Sequence, residues 1–462
     1  MILKNSEIVI NAGSPFANDK LNRQDSAVAL TRFVTSTNDP MVVCIDAPWG
    51  QGKTTFLKMW EQHLKDNDIP TLYFNAWEND FSDDALVSLI GEISSAIDEI
   101  SKSGNQTKAH EYLEKAKNLS ITLLKRSVPV AAKIATAGAI DFENITEQAL
   151  SNLAESVAKD QLEKYEKSKN TLKAFRKSLS ELASSITDGE NPKPLVFIID
   201  ELDRCRPNFS IEILEKAKHF FNVENIVFVL GADKTQLGHS IKAIYGSELN
   251  VNGYLRRFID FDYVLPPPDK GLFVKALFNK FSFNDYFSSK TGSETRYEGK
   301  HALDMFTNLF ELCRLTLREQ EHCCSLLSLS IRTTPNDDEL HPIFLCFLIV
   351  LKVKEPDAYK RFITEEISPL NLLDLFRGTL EALDKHDGAV LEAYIVSCRP
   401  NYWRESDKIT ARYKEIVESS SAEALEKERA SKILRLINSH NWPDGSLSYL
   451  VNKIEIASRF KS

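Results

Sequence analysis

The sequence predicts an α/β fold: a parallel sheet packed between helices, together with a helical insertion and an α-helical C-terminal region. Short apolar, β-branched runs alternate with helical stretches up to residue 268, as expected for a parallel sheet that is covered on both faces. A long interval at 98–192 interrupts this alternation, and leucine-rich helical periodicity follows residue 269. The strands are predicted at 41–46, 70–75, 194–199, 225–231 and 259–265.

The first predicted strand leads into a glycine-rich segment: Ala47, Pro48, Trp49, Gly50, Gln51, Gly52, Lys53, Thr54 and Thr55. Gly50 and Gly52 permit backbone angles that point consecutive N–H groups at an anion, and a helix predicted over 54–64 adds its N-terminus. At this spacing, Lys53 is expected to reach the β- and γ-phosphates and Thr54 to hold a magnesium ion. The strict pattern has glycine where this chain has Ala47, so the segment alone also fits a glycine turn that caps a helix.

The third predicted strand leads into a group of acids. Its uninterrupted apolar run is typical of a strand buried on both faces, and open α/β sheets bind ligands at the carboxyl ends of their strands. Asp200 is placed there to engage magnesium, and Glu201 follows it to polarise an attacking water. A solvated acidic turn is the alternative for this segment alone. Because the acids occur together with a phosphate loop, the two segments predict a site for nucleoside triphosphates.

Further segments resemble one family, the KAP P-loop NTPases of the STAND group within the ASCE division. The resemblance covers roughly 15–95 and 192–325. Its elements are Trp49 before Gly50, the N-A-W-E sequence with Asn75, Trp77 and Glu78, DELDRC at 200–205, the strand followed by Asp233, YLRRFIDFDYVLPPPD at 254–269, and LTLREQEH with Arg318. The chain departs from the family pattern at Ala47 and Leu317, and it has Glu201 where the family often has aspartate.

The resemblance implies a P-loop NTPase fold with the strand order 5-1-4-3-2, in which the fourth strand separates the acidic strand from the phosphate strand. It implies an ATPase with ATP and Mg²⁺ as its ligands, and the absence of an N-K-x-D-like guanine motif also favours ATP over GTP. Thr54 and Asp200 are then the metal ligands. Lys53 binds phosphate, and Glu201 is the base, since glutamate at this position is a competent one.

Five more residues are candidates for catalysis: Asn75, Asp233, Arg256, Arg257 and Arg318. Asn75 either hydrogen-bonds Glu201 or caps a turn. Asp233 follows the fourth strand and either positions water or caps the next helix. Arg318 matches the family's helical arginine, which implies that it senses the γ-phosphate in cis, and Arg256 or Arg257 is expected to act on a neighbouring subunit. Ordinary surface salt bridges are the alternative for each arginine.

Two tryptophans near these motifs, Trp49 and Trp77, either line the nucleotide pocket or lie in the core, where large aromatic side chains are more common.

Composition limits the other classes of function. The net charge of −9 argues against broad coating of nucleic acid, although a local basic groove stays possible. Seven cysteines without a CxxC pair fit reduced thiols and a cytoplasmic protein. The N-terminus predicts no signal peptide.

The length predicts about three domains, and the segments divide as 1–97 and 193–268 for the NTPase domain, 98–192 for a helical insertion and 269–462 for a helical C-terminal domain. Many KAP proteins carry transmembrane helices in the insertion. Here its most apolar stretch, 128–140, is shorter than the roughly 20 residues that a span requires, so we expect no membrane span. Apolar residues at helical spacing from Tyr165 to Ile186 predict an amphipathic helix that packs on the NTPase core or, alternatively, on a partner.

The resulting hypothesis is an ATPase that acts as a nucleotide-driven switch or assembly subunit. The resemblance implies self-assembly into a homo-oligomer, a prokaryotic setting in anti-phage defence, and protein partners that carry the effector activity. Two alternatives stay open: a scaffold that binds ATP without hydrolysing it, and a small-molecule kinase, which would need a lid with convergent arginines.

Overall fold

The computed structural model describes residues 8–81, 193–289, 297–332 and 340–455, apart from 38, 222, 384, 399–402 and 440–445, and it also describes 334 and parts of 88–119 and 166–185. Within this part, the chain divides into two compact units. A nucleotide-site unit comprises 8–19 and 23–266, and a helical unit comprises mainly 267–462 together with 20–22. The predicted four-part division of the chain stays a prediction. The apolar stretch 128–140 lies outside the described residues.

The nucleotide-site unit contains five parallel strands in the order β2-β3-β4-β1-β5. Their bounds are β1 Met41–Asp46, β2 Thr71–Asn75, β3 Leu195–Asp200, β4 Ile226–Ala232 and β5 Phe261–Val264. This order is the predicted 5-1-4-3-2 order, which is therefore confirmed. In the register of the sheet, Asn75 pairs with Asp200, Asp200 with Gly231, and Asp46 with Ala232. The carboxyl ends of the four neighbouring strands β2, β3, β4 and β1 thus meet at one edge of the sheet.

Both faces of the sheet are buried at β1, β3 and β4, where successive side chains point to opposite faces, whereas three of the four residues of the edge strand β5 are exposed. Val42 and Cys44 of β1 belong to one apolar cluster, and Val43 and Ile45 belong to the other. The first cluster also contains Phe175, Leu179 and Leu182 of the insertion, which lie in a helical segment at 173–185. For these residues the predicted packing onto the NTPase core is confirmed. Tyr165, Leu172 and Ile186 of the same pattern lie outside the described residues.

Besides the helical segment at 173–185, the described residues of this unit include the helices α1 Gln24–Val34, α2 Lys53–Asp66, α3 Pro207–Phe221, α4 Lys234–Tyr245 and α5 Val251–Leu255. Helices α1 and α2 contribute Leu30 and Trp60 to the cluster on one face, and α3 contributes Leu214 to the cluster on the other. Helices α2, α3 and α4 each follow a strand closely, so their N-termini lie near strand carboxyl ends. This arrangement is the one that the alternating sequence pattern predicts.

The helical unit contains eleven helices among its described residues: α6 Lys270–Lys280, α7 Phe283–Ser289, α8 Glu298–Leu312, α9 Leu317–Arg332, α10 Pro342–Lys354, α11 Pro356–Ile363, α12 Pro369–Ala382, α13 Lys385–Ser397, α14 Trp403–Glu418, α15 Ala424–Ser439 and α16 Ser446–Ile454. Residues 342–351 of α10 are all buried. A helix that is apolar all round is expected at the centre of a bundle, and α10 has this position in the core of the helical unit. None of the helices in the described residues is long and apolar enough to cross a membrane.

Candidate nucleotide-binding site

The loop between β1 and α2 has the backbone geometry that the glycines predict. Gly50 and Gly52 both have φ of 75°, in the left-handed region that favours glycine. Gly52 is also the N-cap residue of α2, which begins at Lys53. Ala47 is not among the described residues with a positive φ. The alanine therefore fits the loop without strain, and the departure from the strict glycine pattern does not disturb it.

Lys53 is buried at the base of this loop, with only 8% of its surface exposed. Its Nζ donates to the backbone oxygen of Ala47 at 3.2 Å and lies 3.6 Å from Oδ2 of Asp203. The same Oδ2 accepts the indole N–H of Trp49. The other carboxylate oxygen of Asp203, Oδ1, is buried and has no hydrogen-bond partner among the described residues. An ammonium group, an indole N–H and a carboxylate thus meet beside the phosphate loop.

Asp200 ends β3 and is fully buried. Its Oδ2 accepts the Tyr73 hydroxyl at 2.8 Å, its Oδ1 accepts the Glu201 backbone N–H at 2.7 Å, and the single O–H of Thr54 is shared between Asp200 and Glu201. Burial raises the pKa of this carboxyl, and these three hydrogen bonds oppose the rise. A Cβ atom at Gly231 on the adjacent strand would lie 2.6 Å from Asp200 Oδ1, so only glycine leaves room for the carboxylate there.

Glu201 has a left-handed backbone, with φ of 60°, and the residue is 6% exposed. Its Oε1 accepts the Thr54 hydroxyl at 3.2 Å and forms an ion pair with Arg204, and its Oε2 accepts Asn75 Nδ2 at 3.3 Å. Asn75 performs both of the alternatives considered for it, because its Oδ1 also accepts the backbone N–H groups of Trp77 and Glu78. Three elements, β2, β3 and α2, therefore hold one carboxylate.

Asp233 follows β4 and also has two roles. Its Oδ1 caps α4 by accepting the N–H groups of Thr235 and Gln236 at 3.0 and 3.2 Å. Its Oδ2 accepts the backbone N–H of Trp49 at 3.2 Å. The helix cap that was one alternative for this residue is present, and the second oxygen adds a hydrogen bond to the phosphate loop.

The remaining candidates are three arginines, two in the nucleotide-site unit and one in the helical unit. Arg256 and Arg257 are exposed, and the Arg257 guanidinium lies 6.0 Å from the ring centroid of Tyr254. Arg318 belongs to α9 of the helical unit. The roles proposed for the three arginines stay predictions. Trp49 and Trp77 are 45% and 54% exposed, so the interpretation that places them in the core is wrong.

Three other residues of the phosphate loop, Pro48, Gln51 and Thr55, were predicted to bind nucleotide, and their side-chain contacts do not assign them a role. Pro48 is exposed, whereas Gln51 and Thr55 are half-buried. The backbone oxygen of Gln51 accepts a hydrogen bond from Arg23 at 2.8 Å. Among the residues that the structure describes, no three His, Cys, Asp or Glu side chains are grouped so that they could hold a metal ion together.

Four residues of the site were missed by sequence reasoning: Tyr73, Asp203, Gly231 and Arg23. Tyr73 alternates with buried residues on β2, so its side chain faces the sheet surface that holds Asp200. Asp203 lies within the acidic motif, and its spacing from Glu201 was a signal that could have identified it. Gly231 and Arg23 belong to no motif that the sequence displays, and their partners Asp200 and Pro266 are 31 and 243 positions away along the chain.

Comparison with family models gives a match to the KAP family P-loop domain over residues 24–335, which is more than half of the chain. The chain belongs to the KAP family. The KAP match spans all five strands and the phosphate-loop and acidic motifs, and it extends to the first helices of the helical unit. The family and the sheet order together establish a nucleotide-binding P-loop NTPase fold.

Among solved structures, the KAP chain is similar to the ORC2 protein of Aeropyrum pernix in two forms. The ADPNP–ADP complexes are 13% identical over 94% of each chain with a TM-score of 0.30, and the ADP form is 13% identical over 95% of each chain with a TM-score of 0.32. Likenesses this weak carry no conclusion about what the KAP chain binds. No curated protein matches it.

Proposed function

We propose that this KAP protein binds ATP with Mg²⁺ and hydrolyses it as a nucleotide-driven switch. The observation that carries the proposal is the placement of the Glu201 carboxylate, which accepts the Thr54 hydroxyl at 3.2 Å and the Asn75 amide at 3.3 Å beside Asp200. A general base must lie next to the phosphate site and must be held in position there. The contacts of Glu201 to α2 and β2 meet both requirements.

The residues of the site fit the groups that ATP and Mg²⁺ present. The positive φ angles of Gly50 and Gly52 allow the loop to turn its N–H groups toward phosphate oxygens. Lys53 contributes a positive charge, and Thr54 and Asp200 offer the hydroxyl and carboxylate oxygens that Mg²⁺ prefers. Bound Mg²⁺ neutralises negative charge on the phosphates. Asn75 holds Glu201, whose free lone pairs accept a proton from water.

One observation favours a second candidate, a scaffold that binds ATP and awaits a partner before hydrolysing it. Arg204 forms an ion pair with the same oxygen of Glu201 that accepts the Thr54 hydroxyl. The guanidinium also lies 5.9 Å from the ring centroid of Trp77. An arginine that occupies the base reduces its ability to accept a proton. In this alternative, hydrolysis begins only when Arg204 is drawn away.

The test is Mg²⁺-dependent release of phosphate from ATP by the purified chain. Glu201→Gln and Lys53→Ala are expected to abolish release, while Glu201→Gln still binds ATP. Glu248→Gln and Lys65→Ala, which change exposed residues of the same unit, serve as matched controls and should leave the rate unchanged. An inactive wild type that binds ATP supports the scaffold, and a rise in rate with Arg204→Ala would assign the restraint to that residue. Release that persists in Glu201→Gln contradicts the assigned base.

The wider role proposed for the protein is self-assembly and work with effector partners in prokaryotic anti-phage defence, in the cytoplasm. This part of the proposal is supported by family resemblance alone. Light scattering with and without a slowly hydrolysed ATP analogue tests assembly, and an unchanged mass would contradict it. Plaque counts on a host that expresses the chain with the genes beside it, as wild type or Glu201→Gln, test the defence role.

A further inference from the structure

Arg23 is a buried arginine whose partners are backbone carbonyl oxygens. Arg23 is the N-cap residue of α1, makes no capping hydrogen bond with its side chain, and is only 3% exposed. Nη1 donates to the oxygen of Gln51 at 2.8 Å, and Nη2 donates to the oxygen of Pro266 at 3.1 Å. Nε is buried without a hydrogen-bond partner among the described residues. The guanidinium therefore joins two segments that are distant in the sequence.

The first of these segments is the phosphate loop itself. Gln51 lies between Gly50 and Gly52, the two glycines with positive φ. A hydrogen bond to its carbonyl oxygen fixes the peptide plane between Gln51 and Gly52, and thus the direction of the Gly52 N–H group. Since N–H groups of this loop are the expected phosphate ligands, Arg23 controls the orientation of a binding group without contacting the nucleotide.

The second segment is the point where the chain leaves the nucleotide-site unit. Among the described residues, the chain passes between the two units after residue 19, after residue 22 and again after residue 266, and the last two of these crossings concern Arg23. Arg23 and Pro266 are the residues of the nucleotide-site unit that adjoin these two crossings, and the Nη2 hydrogen bond connects them. Pro266 begins a run of three prolines, Pro266 to Pro268. Because proline fixes φ, such a run transmits a displacement along the chain and does not absorb it.

Stability alone does not account for an arginine at this position. Burial lowers the pKa of Arg23 to about 10, against the opposing effect of the Asp19 carboxylate, so the side chain is charged at neutral pH and burial disfavours that charge. An apolar side chain of similar size would avoid this penalty. What an apolar side chain cannot do is donate to both carbonyl oxygens at once from a planar fork.

We propose that Arg23 is a positioning residue that couples nucleotide binding at the phosphate loop to the chain crossings at residues 23 and 266. The coupling rests on the proposed function, since it requires that the loop bind a nucleotide. Binding that orders the Gln51 carbonyl strengthens its bond to Arg23, and the same guanidinium then holds Pro266 more firmly. The crossing toward the helical unit is in this way sensitive to whether nucleotide is bound.

The test combines affinity with hydrogen exchange. The dissociation constant of a slowly hydrolysed ATP analogue with Mg²⁺ is measured by calorimetry for wild type, Arg23→Lys, Arg23→Met and the control Arg32→Met, which changes an exposed arginine of the same helix. Amide exchange is followed with and without the analogue for peptides that cover 47–56 and 261–272. In the wild type, the analogue is expected to slow exchange in both peptides.

Arg23→Met should weaken binding about tenfold, the effect of losing one charge-assisted hydrogen bond. At saturating analogue it should keep the protection of 47–56 and lose that of 261–272, a separation that a general loss of stability would not produce. For Arg23→Lys, the affinity and the protection of 261–272 should fall between those of the wild type and Arg23→Met. This variant provides the test if Arg23→Met does not fold. Wild-type affinity and undiminished protection of 261–272 in the variants would overturn the coupling. A wild type that binds no analogue would instead contradict the proposed function.

Discussion

Lys53 Nζ lies 3.6 Å from Asp203 Oδ2, and the side chains of both residues are more than nine-tenths buried. A nucleotide phosphate that contacts Lys53 must therefore approach a carboxylate that contacts it too. The phosphate and the carboxylate are both negative and repel each other. For two unit charges about 6 Å apart at an effective dielectric constant of about 20, this repulsion is about 3 kcal/mol. Asp203 thus stabilises Lys53 and opposes the anion that Lys53 attracts.

We expect Asp203→Asn to have two opposite effects. Without nucleotide, the midpoint of thermal unfolding should fall, because a buried ammonium group loses its counter-charge. The rise in the midpoint on adding ATP and Mg²⁺ should be larger than in the wild type, because the phosphates no longer meet the carboxylate. Differential scanning fluorimetry measures both. Asp262→Asn, which breaks the more exposed ion pair with Lys234, is the control and should change neither. A smaller response to nucleotide would contradict this account of Asp203.

Gly231 provides a test of close packing around the acidic strand. A Cβ atom there would lie 2.4 Å from Leu57 Cδ1 and 2.6 Å from Asp200 Oδ1. Gly231→Ala should destabilise the protein by about 1–3 kcal/mol and reduce Mg²⁺-dependent hydrolysis by displacing Asp200. Gly378→Ala is the matched change in open space within α12, and it should stabilise by about 0.5–1 kcal/mol. Chemical denaturation measures both free energies of unfolding. An unchanged free energy of unfolding in Gly231→Ala would contradict the prediction and show that the strand end can shift to make room for the Cβ atom.

Tyr73 donates its hydroxyl to Asp200 Oδ2 at 2.8 Å. Tyr73→Phe removes this donor, so the carboxylate loses one of the bonds that fix its position. A hydrogen bond to a charged group contributes about 1.5–3 kcal/mol, and we expect phosphate release to slow about tenfold at saturating ATP. Tyr245→Phe removes a similar bond to Glu215 at a more exposed position and serves as the control. Equal rates for Tyr73→Phe and the wild type would exclude the positioning role.

Alkaline pH should destabilise the helical unit through Tyr413. Its hydroxyl donates to Glu392 at 2.8 Å, and burial, together with the Glu392 charge, raises its pKa well above the ordinary value of 10.0. Above pH 10 the unfolded chain loses this proton while the folded protein keeps it. The folded state then binds more protons, so stability is complete below pH 10 and falls as the pH rises, by about 1.4 kcal/mol per unit for one group.

The dependence of the unfolding midpoint on pH between 9 and 11 checks this prediction. Tyr413→Phe should flatten the decline, even though it lowers the midpoint at pH 8 by removing the hydrogen bond. Tyr297→Phe changes an exposed tyrosine of the same unit and should leave the slope as it is. A slope that is the same in all three proteins would mean that other groups cause the alkaline loss.

By itself, the sequence determined the strands, the phosphate loop and the acidic strand end. Each is a local pattern: the run 41–46 is a strand because β-branched residues fit a buried pleat, and Gly50 and Gly52 adopt positive φ because glycine has no Cβ. The helical C-terminal region was likewise predicted from the leucine-rich periodicity that follows residue 269. These properties depend on neighbours within a few positions, which the sequence displays directly.

Only the tertiary structure decided which polar groups meet. Tyr73 reaches Asp200, Trp49 reaches Asp203, and Arg23 reaches Pro266 because the strand order and register bring distant positions together at one edge of the sheet. The exposure of Trp49 and Trp77 was decided in the same way, against the general tendency of large aromatic residues to be buried. Whether a side chain lies in the core or at a site depends on what the folded chain places beside it, and residue type does not contain that information.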